Sequence, residues 1–234
     1  MKRFFALCIF SLPFFLVGCS SSPTGNKDQA TDVQVVPVAT VTAVYAVFPP
    51  VASSTKYSLD TSVSTFGWTG KKMLGQHTGK ISFEKGEVFI EQGSLRGGNF
   101  VVLINTLVDE DLTDPAQKSQ LETHLKSADF FDGERYPAAT LSLVGADPIL
   151  DASGDDPNYL IRANLAIKDV TNGVLFPAYI YSEGVFIKAK ANFAVDRTKW
   201  NIRYGSGKFF EGLGDKVIAD PFTVKLDLVL VKDY

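Results

Sequence analysis

Side chains able to do metal or covalent chemistry are few in this 234-residue chain, and their spacing does not suit them to it. His77 and His124 are the two histidines. Neither has a second His or Cys at ligand spacing, so we expect no metal and no cofactor. His77 falls in a stretch that reads as a turn. Asp109, Glu110, Asp111 and Asp114 make an acidic knot, but the glycine and terminal glutamate of a calcium loop are missing. It reads as a solvated loop and helix start. Gly205-Ser206-Gly207-Lys208 is similar to a phosphate loop, yet it lacks the leading glycine and the following Ser or Thr, so it reads as a turn. No Gly-x-Ser-x-Gly elbow occurs and no acid/base pair stands out, which argues against an enzyme. Asp196-Arg197, with Lys199-Trp200, is the charged pair best suited to locking a strand end from within.

Cys19 is the other reactive group. Met1-Lys2-Arg3 followed by the apolar run Phe4 to Val17 has the form of an export signal. At 14 residues the run is too short to span a bilayer, which takes about 20. Leu16-Val17-Gly18-Cys19 resembles the lipobox of bacterial lipoproteins, implying cleavage before Cys19 and acylation of its sulfur. Cleavage at a nearby small residue without acylation is the alternative. Loss of the signal removes Cys8 and leaves no partner for a disulfide. Ser20 follows the cysteine, with no Asp to retain the protein at the inner membrane. We therefore expect a lipid-anchored protein of the cell envelope, at the outer membrane and facing the periplasm.

Removing residues 1–18 takes Lys2 and Arg3 and no acid, leaving 21 basic against 26 acidic side chains and a formal charge of −5. Nucleic acid is not an expected partner, because no basic cluster is denser than Lys71-Lys72. The organisation read from composition is an export signal over 1–18, an acylated N-terminus and tether over 19–55, and one domain over 56–234. The run Val33 to Phe48, inside the tether, is β-prone and can pair with something.

Period-two alternation dominates the domain. Phe66 and Trp68 alternate with small or polar neighbours, as do Ile81 and Phe83 within Lys80 to Glu84. Further strands are expected near 87–92, 99–107, 139–144, 159–167, 174–182, 185–195 and 221–231, with Gly-containing turns between most of them. One helix is expected, with Asp114 as N-cap, Pro115 at its first position, an end near Ala128, and Gln117, Leu121, His124 and Leu125 on one face. Eight to ten short strands with so little helix imply an all-β antiparallel barrel or sandwich. In a barrel the inward residues would be Phe66, Trp68, Ile81, Phe83, Leu141, Leu143, Ile161, Leu165, Ile167, Phe176, Ala189, Ala191, Phe193, Leu226 and Leu228. Small Ala163, Ala189 and Ala191 beside large aromatics would leave lengthwise room; a plain packed core is the alternative.

Ser127-Ala128-Asp129-Phe130-Phe131-Asp132 with Tyr136-Pro137 resembles a motif of the YceI-like family. Ser64 to Lys72 resembles that family's first strand, Gly75 to Gly79 its first turn, and Phe193 to Trp200 the strand end bearing an acidic-Arg pair. Gly212 to Val217 precedes the last strand as in the family, so the likeness spans about residues 57 to 231. Leu121-Glu122 stands where many members have Arg-Asp, and Asp169 where a glycine is usual; Asp tolerates the left-handed region better than most residues.

The resemblance implies a lipocalin-like barrel of about eight antiparallel strands, with one short helix, that binds a long-chain amphiphile without catalysis. The ligand would be a polyisoprenoid, an isoprenoid quinone or a fatty-acid-like lipid. The inward residues, chiefly Phe66, Trp68, Ile81, Phe83, Leu141, Leu143, Leu165, Ile167, Phe176, Ala189, Phe193, Leu226 and Leu228, would contact it. His124 and Arg197 are the candidates for its head group, His124 otherwise bonding helix to barrel and Arg197 otherwise locking the corner. Phe130-Phe131 and Phe209-Phe210 would plug the barrel ends. A solid barrel whose outer face meets a partner is the competing expectation.

Overall fold

The computed structural model describes residues 36–47 and 49–234. The expected export signal and Cys19 lie outside the described residues. Twelve strands and one α-helix follow in order: β1 (Thr40–Thr42), β2 (Thr55–Leu59), β3 (Thr65–Lys72), β4 (Gly75–Lys80), β5 (Phe83–Glu91), β6 (Ser94–Leu103), β7 (Val108–Asp109), α1 (Pro115–Lys126), β8 (Ala138–Pro148), β9 (Tyr159–Ile167), β10 (Val170–Glu183), β11 (Phe186–Asp196) and β12 (Pro221–Lys232).

Eight antiparallel strands close a ring in the order β2, β5, β6, β8, β9, β10, β11, β12 and back to β2. Of the antiparallel barrel or sandwich that alternation allowed, the observed fold is the barrel, as the family resemblance implied. Its closure depends on β12, which pairs with β11 from Phe186↔Val231 to Asp196↔Pro221 along one edge. The other edge is shared: β2 takes Leu230 to Lys232 and β3 takes Thr223 to Asp227. Between them the chain turns through Asp60 to Ser64, where Asp60 Oδ1 accepts from the Ser62 N–H and the Ser64 hydroxyl accepts from the Val229 N–H. This short polar turn puts two strands in one slot, and β3 carries β4 and β7 as a flap beyond the ring.

Several expected elements differ in their bounds, among them the strand expected over 99–107, which runs Ser94–Leu103 and gives way to a 3-10 turn at Ile104–Thr106. The segment expected as a single strand from Lys80 to Glu84 divides, β4 ending at Lys80 and β5 starting at Phe83. Gly75 to Gly79, expected as a turn, is strand β4, and the turn is Met73-Leu74. Its sequence has no large apolar residue to alternate, because the site has no room for one: a Cβ on Gly79 would lie 1.9 Å from the Val108 carbonyl oxygen and 2.6 Å from the Trp68 ring. At the β9–β10 turn it is Lys168, not Asp169, that takes the left-handed conformation, at φ 56°.

Asp114 caps α1 as its sequence implies, its Oδ1 accepting from the Ala116 and Gln117 N–H groups. Because α1 and the loops after β11 lie at one end of the ring and the β5–β6, β8–β9 and β10–β11 turns at the other, the barrel has a helix end and a hairpin end. The helix end holds the densest packing: Trp200 and Ile202 are fully buried, and Trp200 Nε1 donates to the Leu165 carbonyl at 3.0 Å.

One seam is completed from outside the ring. β10 and β11 pair only over Tyr179–Glu183 with Phe186–Lys190. Towards the helix end they part, and residues 37–42 lie between them. Thr40 to Thr42 pair with Leu175 to Gly173 of β10, while the Ala39 N–H donates to the Ala194 carbonyl and the Ala194 N–H to the Pro37 carbonyl. Ala39 is buried in the core. The β-prone part of the expected tether is therefore a strand of the wall. Asn164 clamps it, its Oδ1 accepting from the Tyr45 N–H at 2.8 Å and its Nδ2 donating to the Tyr45 carbonyl at 2.9 Å. Gly173 allows the approach, since a Cβ there would sit 2.2 Å from the Ala43 carbonyl oxygen.

Candidate functional site

The alternation that builds the strands turns one apolar set inward, and this set does not meet across the barrel. The lumen is a cavity of about 1740 Å³, lined from the hairpin end to the helix end. Drug-sized pockets occupy about 300–1,000 Å³, so this one suits something larger or longer. A 12-residue strand such as β12 covers about 40 Å, and at a barrel's tilt of about 40° it covers roughly 30 Å of axis. The chamber is accordingly long and narrow.

All fifteen residues expected to face inward line the cavity: Phe66, Trp68, Ile81, Phe83, Leu141, Leu143, Ile161, Leu165, Ile167, Phe176, Ala189, Ala191, Phe193, Leu226 and Leu228. Ala163 does not; it shares the inward face of β9 but is completely covered. A solid centre would bury the whole set. Instead Phe66, Trp68, Phe83, Leu141, Leu165, Ala189 and Ala191 are only half-buried although they point into the barrel. Two aromatic groups define the walls: Phe176 stacks on Phe193 with centroids 4.1 Å apart, and Phe66, Phe83 and Phe100 meet edge to face at 6.0 and 6.4 Å. Alternation had not singled out Phe100, Ile104, Ile180, Ile187, Ile202 or Leu230, which also line the cavity.

The polar groups of the wall sit at its two ends. At the hairpin end Glu91 binds Arg96 at 3.0 Å and Arg162 binds Asp147 at 2.9 Å, while Lys190, also in the wall, makes no ion pair among the described residues. At the helix end the wall includes His124, Arg197, Lys71, Lys72, Asp215 and Lys216. Among the described residues none of these three lysines makes an ion pair. His124 lies over the opening, its Nε2 3.1 Å from Asp129 and its ring edge-on to Phe130 at 5.0 Å and to Tyr204 at 4.7 Å. The hydrogen bond expected between helix and barrel is not formed among the described residues: the Nε2 of His124 meets Asp129 just beyond the helix, and its ring packs on Tyr204 of the loop after β11.

Arg197 holds a corner, but with partners other than the expected one. Its Nε, Nη1 and Nη2 donate to the carbonyls of Ala219, Ile202 and Ile218 at 3.1, 2.9 and 3.1 Å. Its nearest carboxylate is Asp220 at 3.8 Å, not the adjacent Asp196. Asp196 instead accepts from Thr198 and pairs with Lys208. Burial pushes the Arg197 guanidinium below its ordinary value, opposed by the charges of Asp220 and Asp196. Three of its five donors are thereby committed to the loop carbonyls.

Two further expectations change. Phe130 and Phe131 line the helix end of the cavity as a plug, whereas Phe209 and Phe210 are exposed and absent from its wall, with Arg203 stacked over Phe209. The acidic knot is not a solvated loop throughout: Asp109 is fully buried, and it lies with Asp111 beside His77. Gly205 to Lys208 is a turn as expected, with Lys208 paired to Asp196 and Asp220.

The YceI-like domain family matches residues 57–230, most of the chain and every strand of the ring. The chain belongs to the YceI-like family. No curated protein matches it. Among solved structures it is similar to BcnA of Burkholderia cenocepacia, at 21% identity and a TM-score of 0.57, over 73% of this chain and 98% of that one. It is also similar to a polyisoprenoid binding domain from Saccharophagus degradans implicated in plant cell wall breakdown, at 14% identity and a TM-score of 0.55, over 76% and 98%. At these identities the likeness establishes the YceI-like barrel fold.

Proposed function

We propose that this YceI-like barrel binds one long-chain amphiphile, a polyisoprenoid, isoprenoid quinone or fatty-acid-like lipid, along its axis, for sequestration or transport in the cell envelope. One observation carries the reading: the inward face of a closed barrel lines a continuous apolar chamber instead of a packed core. Filling it with hydrocarbon removes apolar surface from water on both sides, at roughly 25 cal/mol per Å², so each 100 Å² contributes about 2.5 kcal/mol. The head group belongs at the helix end, where Lys71, Lys72 and Lys216 have no ion-pair partner among the described residues and His124 lies over the opening. No step of this function breaks a covalent bond. Protein purified from membranes and extracted with organic solvent should yield about one long-chain lipid per barrel by mass spectrometry. Recovery of lipid-free protein from its native membrane would overturn the reading.

The location rests on the sequence before the barrel. Acyl chains on Cys19 would hold the protein at a membrane, each buried methylene contributing about 0.8 kcal/mol, and the outer membrane on its periplasmic side is the proposed place. Replacing Cys19 with Ser should abolish incorporation of labelled palmitate and leave the leader uncleaved. Palmitate incorporated at the parent's level by that variant would refute the anchor and leave the lipid-binding reading standing.

A further inference from the structure

We propose that His77, Asp109 and Asp111 form a binding site for one divalent cation of the zinc type. The three are brought together by register alone: His77 is on β4, which pairs with β7 through Gly79↔Asp109, and the chain after β7 carries Asp111 back over the same edge. One ligand atom from each lies within 4.8 Å of the others. His77 Nδ1 is 3.0 Å from Asp111 Oδ2 and 3.9 Å from Asp109 Oδ2. These separations bracket the ligand-to-ligand edge of about 3.3 Å that bonds of about 2.0–2.1 Å set in a tetrahedral site.

Each carboxylate is held with one oxygen turned towards that point. Asp109 Oδ1 accepts from the Leu112 N–H at 2.7 Å, and Asp111 Oδ1 accepts from the Thr78 N–H at 2.6 Å. Backbone groups of this kind orient ligands in established metal sites. The decisive atom is Asp109 Oδ2. Its residue is fully buried, it has no hydrogen-bond partner among the described residues, and it faces the imidazole at 3.9 Å. In the tautomer protonated at Nδ1, that proton can serve only one acceptor, and Asp111 is the nearer. A buried carboxylate oxygen left without a donor costs several kcal/mol unless a cation or a proton supplies the missing charge.

One imidazole and two carboxylates suit zinc better than magnesium or calcium, which favour all-oxygen shells of six or more ligands. The side chain of His77 is 25% exposed and that of Asp111 35%, so the site opens to solvent. His77 also belongs to the cavity wall, which places the cation beside the helix end of the chamber.

Untagged protein stripped with a chelator and titrated with zinc chloride by calorimetry should take up one equivalent. Cobalt(II) in its place should give the intense visible band of a four-coordinate centre. His77→Ala and Asp111→Asn should each weaken zinc binding by roughly tenfold or more while leaving far-UV circular dichroism unchanged. Asp109→Asn is the less useful variant, since Asp109 also holds the Leu112 N–H. Absence of a saturable single equivalent, equal uptake by both variants and the parent, or a preference for calcium over zinc would each overturn the site.

Discussion

Ala191→Trp is expected to abolish lipid retention, lowering affinity by roughly a hundredfold, which is about 2.7 kcal/mol, while the barrel keeps its melting temperature. Ala191 lies midway along β11, opposite Leu226 of β12, with its methyl group only partly buried inside the ring. A tryptophan buries on the order of 200 Å² or more of its own surface, and here that surface would occupy the chamber. Overpacking a filled core costs about 1–3 kcal/mol, so unchanged stability would itself report empty space beside Ala191. Asn192 is the control, being exposed on the outer face of the same strand. Asn192→Trp should keep the ligand. A lipid still recovered at one per chain from Ala191→Trp would remove the chamber as its binding site.

Arg197→Leu is expected to cost about 3–5 kcal/mol of stability and to lower the melting temperature by about 10 °C or more for a domain of this size. Leucine keeps only the apolar stem of the buried side chain, so it leaves the carbonyls of Ile202, Ile218 and Ala219 without donors and a void where the guanidinium lay. Each orphaned acceptor costs roughly 1–3 kcal/mol. Asp220 keeps Lys208 at 2.9 Å, which moderates the loss. Arg197→Lys should recover only part of it, because a single ammonium cannot span three carbonyls as a planar guanidinium does. Thermal unfolding followed by circular dichroism distinguishes the roles: a variant that melts like the parent but releases its lipid would make Arg197 a head-group contact and not a corner lock.

What could be read from residue order follows from how local each signal is. Phe66 and Trp68 alternate over a few residues, so their strand and inward face were legible, as was α1 from Asp114 and Pro115. β4 was not, since Gly-Gln-His-Thr-Gly-Lys has no apolar side chain to mark a face and is a strand only because β3 and β7 flank it. The Arg197 partnership was half legible: a buried Arg at a strand end was expected, but its carboxylate neighbour comes from Asp220, twenty-three positions later. His77 and Asp109 have no ligand spacing in sequence, and only the β4–β7 register makes them neighbours. The exposed Phe209-Phe210 shows the opposite error, since aromatic pairs look alike on paper whether they seal an opening or face water.

The strand that fills the seam between β10 and β11 would also join the barrel to an anchor at Cys19. The matched family region starts at residue 57, yet the wall includes Ala39 and Thr40 to Thr42. With acyl chains on Cys19, the stretch to Pro37 reaches no further than about 60 Å even fully extended, so the vessel would stay within a short throw of the bilayer. Proteolytic cleavage between Thr42 and Thr55 would not release an intact barrel wall. It would leave a slit flanked by raw strand edges at Val174 and Ala194, through which cargo could leak and neighbouring molecules could stick.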